Sequence, residues 1–135
     1  EDFYKQKIVW KIIGSNINFL LDNNGFFYNN AANILTSETV ELKVLVAFLN
    51  SKLFEWYFKK IMFIEVEGGG IQMFNTIMRK IPIPILSSEK KKELINFIDE
   101  ILNKEETSIL NNKIDSYIFN YFELTLDESD FVKCF

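Results

Sequence analysis

Histidine is absent from this chain of 135 residues, and cysteine occurs once, as Cys134. The absence of histidine excludes catalytic sites of the serine–histidine–aspartate and cysteine–histidine types, and it excludes nearly all zinc sites. A single cysteine forms no internal disulfide, which favours a reducing compartment, so we expect a cytoplasmic protein. We therefore expect neither a catalytic site nor a metal site in this chain.

Long apolar runs are also missing, since no stretch approaches the roughly 18 residues that a membrane-spanning helix requires. The sequence opens with Glu1 and Asp2, without an initiator methionine or the features of a signal peptide. We expect a piece of a longer protein that has no membrane partner.

Apolar residues are abundant, at 48% of the chain, and phenylalanine alone occurs 14 times. This content is enough to build one sizeable core. Charge is distributed unevenly: residues 1–86 carry nine basic and eight acidic side chains, whereas residues 87–135 carry six and eleven. Proteins that bind DNA phosphates are usually more basic than this. If the chain binds DNA, we expect a more basic neighbour to assist it.

Short apolar runs rich in β-branched residues predict strands in the first half of the chain. The predicted strands cover residues 8–13, 17–21, 26–28, 31–35 and 64–67. Asn24-Gly25 predicts a hairpin turn between the second and the third of these strands. Apolar residues three and four apart predict an amphipathic helix over residues 40–61, with a potential break at Asn50-Ser51.

Helical patterns dominate the last third of the chain, over residues 89–104 and 108–122, and Thr125 to Glu128 fits a capping box that opens a final helix. The predicted fold class is α+β, with a mixed, twisted β-sheet packed on a long helix and closed by a C-terminal helical hairpin. Within this one domain, residues 1–86 form a β-rich core with the long helix. Residues 87–135 form the acidic hairpin.

A run of glycines, Gly68-Gly69-Gly70, is followed by Gln72 and Asn75 and then by the rigid segment Pro82-Ile83-Pro84. Glycine lets a backbone approach a partner closely, and glutamine or asparagine can bind adenine through two hydrogen bonds in the major groove. The same glycines could instead serve only the geometry of a β-bulge or a hairpin. The pattern is neither a Walker loop nor a dinucleotide-binding loop, because the required spacing of glycines is absent.

Two groups of polar and basic side chains are therefore candidates for contact with DNA. Lysine, serine and asparagine can reach phosphates and base edges with suitable hydrogen-bond geometry. The first group is Lys7, Lys11, Ser15, Asn16 and Asn18, and the second is Gly69, Gln72, Asn75, Arg79 and Lys80. The alternative interpretation of the first group is a solvated face with turn residues. Of all these residues, we expect Lys7 and Lys80 to contact phosphates.

Several segments, in their order and spacing, resemble the TaqI-like C-terminal specificity domain. This is the target-recognition module of adenine-N6 DNA methyltransferases and of fused Type II restriction-modification enzymes. The likeness extends over nearly the whole chain, including the closing segment from Ile114-Asp115 to Thr125. The segments that carry it best are Lys7-Ile8-Val9-Trp10, Asn23-Asn24-Gly25-Phe26, residues 49–58, Gly68-Gly69-Gly70 and Lys80-Ile81-Pro82-Ile83-Pro84.

The resemblance implies sequence-specific recognition of double-stranded DNA without catalysis in this chain. The methyltransferase partner would be an N-terminal domain of the parent protein or a separate chain, and it would bind S-adenosylmethionine and methylate a flipped adenine. Within this chain no cofactor is expected.

Two alternatives remain open. The Pro-x-Pro segment followed by a long helix is also similar to half of a Type I restriction specificity subunit, a related module. A competitor from another class is a protein-interaction module that uses the acidic hairpin as its binding surface and has no role for DNA.

Overall fold

A computed structural model describes residues 2–62, 65–66, 70–103 and 107–135 of the chain. The predicted α+β fold class is confirmed. A short 3₁₀ turn at Asp2–Tyr4 precedes the first strand. The strands are β1 Lys7–Lys11, β2 Ile13–Gly14, β3 Leu20–Asp22, β4 Ala32–Leu35, β5 Glu65–Val66 and β6 Gly70–Gln72. The helices are α1 Leu42–Leu49, α2 Lys52–Ile61, α3 Asn75–Met78, α4 Ser88–Asn103, α5 Thr107–Tyr121 and α6 Leu126–Cys134.

The described strands form two small sheets, with the strand orders β3-β1-β4 and β2-β6-β5, and every described pairing in them is antiparallel. The expected single mixed sheet is thus divided in two. In the first sheet Ile8 of β1 pairs with Leu21 of β3 and with Leu35 of β4. Only Ile12 separates β1 from β2, so one extended stretch of chain contributes a strand to each sheet.

The predicted hairpin at Asn24-Gly25 is wrong, because β3 ends at Asp22 and residues 26–28 form no strand. The Asp22 carboxylate accepts hydrogen bonds from the backbone N–H groups of Asn24, at 2.7 Å, and Phe26, at 3.1 Å. These bonds hold the segment as a loop instead of leaving its N–H groups for a partner strand. Gly25 takes a left-handed φ of 73° in this loop, which glycine adopts without strain.

The same carboxylate forms a buried ion pair with Lys7, whose Nζ lies 2.6 Å from Oδ2 of Asp22. Lys7 Nζ also donates to the backbone carbonyl of Phe3 at 2.6 Å. Burial raises the pKa of Asp22, but hydrogen bonds from Lys7, the Asn24 N–H and Tyr28, together with the Lys7 charge, outweigh it and lower the pKa to about 2. The pair therefore joins the 3₁₀ turn, β1 and β3.

The helical pattern of residues 40–61 is divided into α1 and α2, so the predicted break at Asn50-Ser51 is confirmed. Ser51 caps α2, since its hydroxyl accepts the N–H of Phe54 and donates to the carbonyl of Phe48. The Asn50 side chain bonds both backbone groups of Phe19, at 2.9 and 2.7 Å. The Ser51 hydroxyl thus satisfies one acceptor and one donor of the backbone at the break between the two helices, whereas the Asn50 side chain joins this break to Phe19.

One apolar core includes side chains from both sides of residue 86, although the division of the domain at that point stays a prediction. Burying each such side chain stabilises the fold by about 1.5–3 kcal/mol relative to exposure. Examples from five elements are Ile8 of β1, Leu42 of α1, Phe58 of α2, Leu94 of α4 and Ile118 of α5.

The two hairpin helices pack against each other and are also attached to the earlier helices by polar contacts. Lys43 of α1 lies 2.8 Å from Asp99 of α4. Asp115 of α5 accepts the backbone N–H of Lys52 at the start of α2, at 2.8 Å. Burial raises the pKa of Asp115 despite that bond. These contacts place the hairpin on the side of the core formed by α1 and α2.

The final helix, α6, begins at the predicted capping box. The Thr125 hydroxyl accepts the N–H of Glu128, and the Glu128 carboxylate accepts the N–H of Thr125 at 2.8 Å. The α6 helix packs on α2. Within the described ranges, no helix combines the length and the apolar character that crossing a membrane requires.

We predict that Asp22→Asn lowers the free energy of unfolding at neutral pH, because it leaves the buried Lys7 without a counter-charge. The wild-type carboxylate has a depressed pKa, so its stabilisation is complete above 3.8 and is lost as the pH falls through about 2. The difference in the free energy of unfolding between the wild type and Asp22→Asn should therefore narrow as the pH falls from 3.8 to about 2. Urea denaturation across a pH series measures it. Asp130→Asn, which removes an exposed carboxylate, is the control, and a gap independent of pH would contradict the prediction.

Candidate nucleic-acid interface

The pairing of β2 with β6 brings two distant parts of the sequence side by side. Ile13 pairs with Gln72, and Gly14 pairs with Ile71. Residues paired directly across antiparallel strands share a face, so Ile13 and Gln72 are neighbours. Because side chains alternate along a strand, Gln72 lies on the face opposite the buried Ile71. Gln72 therefore faces away from the core, beside an Ile13 side chain that is 56% exposed.

Two hydrogen bonds to Met73 hold this arrangement in place. The Met73 N–H donates to the carbonyl of Ile12 at 2.7 Å. The Met73 carbonyl accepts the buried indole N–H of Trp10 at 2.9 Å. Met73 is itself almost fully buried, so both bonds lie in a low-dielectric environment where they are strong. The position of the segment that follows is consequently fixed by β1.

The short helix α3 presents two of the candidate side chains. Asn75 is its first residue and Arg79 follows its last, so the two lie four residues apart on the same side of the turn. Both are exposed, and both line a cleft of about 350 Å³ together with Trp10 and Thr36. The cleft therefore lies between α3 and the end of β4.

Three cations with exposed side chains flank β2 and α3 in the sequence. Lys11 is exposed at the end of β1, and Arg79 and Lys80 are exposed after α3. None of the three forms an ion pair with a carboxylate that the structure describes. By contrast, Lys52 and Lys59 both bind Glu55 within α2, at 3.2 and 2.7 Å.

A comparison with protein families finds that the model described as the TaqI-like C-terminal specificity domain matches residues 1–83. The match covers more than half of the chain. The chain belongs to this family. Specificity domains of this kind are parts of restriction-modification enzymes. A comparison with curated proteins gave no match.

The matched residues of this specificity domain include every candidate contact, from Lys7 to Lys80. Helices α4, α5 and α6 lie outside the match. The resemblance inferred from the sequence is thereby confirmed for the part that contains β1–β6 and α1–α3.

One candidate must be corrected, because Lys7 cannot contact a phosphate in this structure. Its side chain is fully buried, and its amino group is bound to Asp22 and to the carbonyl of Phe3. Releasing it would leave the Asp22 carboxylate buried without a counter-charge. Lys11, four residues later and exposed, is the cation of β1 that solvent reaches.

The remaining candidates are placed as follows. Ser15 and Asn16 are exposed directly after β2, whose partner strand β6 contains Gln72. Asn18 is exposed directly before Phe19, and no hydrogen bond between the described residues connects Asn18 with α3. Gly69 lies outside the described residues.

Sequence reasoning missed two apolar members of this surface. The β-branched run at residues 8–13 predicted a buried strand, yet Ile13 is exposed. Phe74, between Gln72 and Asn75, is exposed as well, and it precedes α3 without a side-chain cap. Only the register of β2 against β6, which local sequence does not specify, identifies Ile13 as a surface residue.

The described residues bring together no group of three or more cysteine, aspartate and glutamate side chains that could hold a metal ion. This surface offers a set of hydrogen-bonding groups and cations on elements that are supported by buried neighbours.

We predict that Trp10→Phe lowers the free energy of unfolding by about 1–3 kcal/mol, because the buried carbonyl of Met73 loses its donor. Trp56→Phe is the matched control, since the Trp56 indole N–H is buried and has no acceptor among the described residues. That substitution should cost less. Urea denaturation of the two variants and the wild type provides the comparison. Equal losses of stability would show that the Trp10–Met73 bond does not contribute as proposed.

Proposed function

We propose that this specificity domain recognises a particular sequence in double-stranded DNA on behalf of an adenine methyltransferase, without catalysing the transfer itself. The observation that carries the proposal is the outward face of β6 together with the exposed side of α3, which present Gln72 and Asn75. Lys11, Arg79 and Lys80 are exposed on β1 and after α3, and none of them forms an ion pair with a carboxylate that the structure describes. Membership of the TaqI-like specificity family supports it.

The side chains of this surface have the chemistry that DNA recognition uses. Glutamine and asparagine can form two hydrogen bonds with adenine, and arginine can do so with guanine. The exposed apolar groups of Ile13 and Phe74 are suited to the methyl group of thymine. In this proposal Gln72, Asn75 and Arg79 contact base edges. The proposal also retains Ser15, Asn16 and Asn18, which are exposed, and Gly69, which lies outside the described residues, as contacts with DNA.

Phosphate contacts come from Lys11 and Lys80 in this proposal. Each neutralised phosphate contributes about 0.9 to the slope of log affinity against log salt for duplex DNA. So few cations give weak binding, and residues 87–135 carry an excess of acidic groups. The methyltransferase partner would therefore supply most of the phosphate contacts.

The partner would be an N-terminal domain of the same protein or, as with a Type I specificity subunit, a separate chain. It would bind S-adenosylmethionine and carry out the methyl transfer, and we assign no step of that reaction to this chain. The reducing compartment that the composition favours, the cytoplasm, is where such an enzyme would meet chromosomal DNA.

We predict that Gln72→Ala changes target preference by about 1–3 kcal/mol at one base pair, because one base-specific contact is lost. The measurement is selection from a randomised duplex library with wild-type and variant chains, followed by titration of the selected duplexes. Asn112→Ala on α5, an exposed amide on the hairpin, is the control. An unchanged selected sequence with uniformly weaker binding would assign Gln72 to anchoring instead of base recognition.

We predict that Lys80→Ala weakens binding to all duplexes alike and reduces the salt slope by about 1, because a phosphate contact carries no sequence information. Titrations at several salt concentrations give the slope. Lys113→Ala removes the same charge from an exposed position on α5 and should leave the slope unchanged. Equal effects of the two lysine variants would indicate nonspecific attraction to the whole surface.

A further inference from the structure

A second surface lies at the other end of the chain, where α6 packs against α2. It contains a groove of about 590 Å³ with apolar walls that include Leu53 and Trp56 of α2, Leu124 and Phe131. Phe131 is 61% exposed, and Phe122, on the same groove, is also exposed. Large exposed apolar side chains that cluster around a groove mark interaction sites. We call this the Trp56 groove.

The charges that line the Trp56 groove all have one sign. They belong to Glu123, Asp127 and Glu128. Glu128 accepts two hydrogen bonds from Thr125 and therefore has a pKa below its ordinary value. A cation on a partner would be attracted to this rim, whereas the phosphates of DNA would be repelled.

The backbone at the rim is strained, because Glu123 has a φ of 56°. It follows α5 in the left-handed conformation, and the next N–H, of Leu124, donates to the carbonyl of Phe119 at 3.0 Å. Glycine usually occupies such a position, since a Cβ is unfavourable there. A glutamate at this point tolerates strain and places a carboxylate at the groove, as strained residues often do at functional sites.

Trp56, which lines the groove, contains a hydrogen-bond donor that no described residue accepts. The indole nitrogen of Trp56 is buried and has no hydrogen-bond partner among the described residues. A buried donor without an acceptor lowers the stability of the free protein. A partner whose carbonyl reached the indole N–H after a small shift of the groove's side chains would therefore gain binding energy. Tryptophan is also among the residues that contribute most to binding at protein interfaces.

We propose that the Trp56 groove binds a protein segment in which lysine or arginine alternates with apolar side chains. The apolar walls would bury the hydrophobic face of the segment, and the acidic rim would pair with its cations. This proposal does not rest on DNA recognition, and α6 lies outside the residues that match the specificity family.

The test uses the isotope-labelled 135-residue chain and nuclear magnetic resonance, because its two tryptophans give two indole N–H signals. The probe is a short amphipathic peptide of leucine and lysine, and the control peptide has glutamate in place of lysine. We expect the lysine peptide to move the Trp56 signal and leave that of Trp10, which is bound to Met73 in the core. An unmoved Trp56 signal, or an equal response to the glutamate peptide, would overturn the proposal.

Variants separate binding at the groove from nonspecific attraction. Phe131→Ala should weaken binding of the lysine peptide about tenfold, as the loss of a central apolar contact does. Phe26→Ala is the matched control, because Phe26 is exposed to a similar extent, 57%, but lies on the loop after β3. Equal affinities of the Phe131 and Phe26 variants would overturn the proposal.

Glu123→Gly distinguishes function from stability, because it relieves the left-handed strain while it removes the carboxylate. We expect a protein at least as stable as the wild type that binds the lysine peptide about two- to fivefold more weakly, the usual effect of one exposed ion pair. Unchanged affinity would exclude Glu123 from the site and count against the acidic rim.

A second copy of the chain is the competing occupant. In that case the Trp56 signal would move when the chain is diluted without any peptide, and that result would replace the proposal.

The affinity of Phe131→Ala for DNA should equal that of the wild type, since the Trp56 groove and the surface around Gln72 involve different elements. Failure of the wild-type chain to bind DNA would count against the proposed function and leave the peptide result unaffected.

Discussion

The two hydrogen bonds of Met73, one to the carbonyl of Ile12 and one from the indole of Trp10, are the constraint on which the candidate interface depends. They connect residues about half the chain apart and fix β6 and α3 relative to β1. Trp10 also packs against Phe19, so the bonds are part of the aromatic core. Together with the pairing of β2 with β6, they set the position of Gln72 and Asn75 relative to Lys11, the exposed cation of β1.

Features of the fold that depend on local chemistry were predictable from the sequence. The break at Asn50-Ser51 and the capping box at Thr125 follow from side chains that bind backbone groups within a few residues. The failed hairpin at Asn24-Gly25 has a different origin. The Asp22 carboxylate holds this segment as a loop by accepting its backbone N–H groups, and it forms an ion pair with Lys7. No local sequence pattern identifies Lys7 as the partner of Asp22. Likewise, the division into two sheets depends on pairings between distant strands.

The candidate interface was predictable to a similar degree. Gln72, Asn75 and Arg79 were recognisable because they follow one another closely after the glycines. Lys7 and Lys11 look equivalent in the sequence, but only the position of Asp22 on β3 decides that the first is buried. Ile13 looked like a core residue because its neighbours in the sequence are apolar. Its exposure depends on its pairing with Gln72, which is distant in the sequence.

The segment from β6 to α3 alternates between side chains that belong to the core and side chains that solvent reaches. Ile71 and Met73 are buried, whereas Asn75 and Arg79 are not. Substitutions at the outward positions leave the core contacts intact, so the two sets of positions can evolve at different rates. Such a separation lets one scaffold acquire new surface chemistry by drift without first losing its fold.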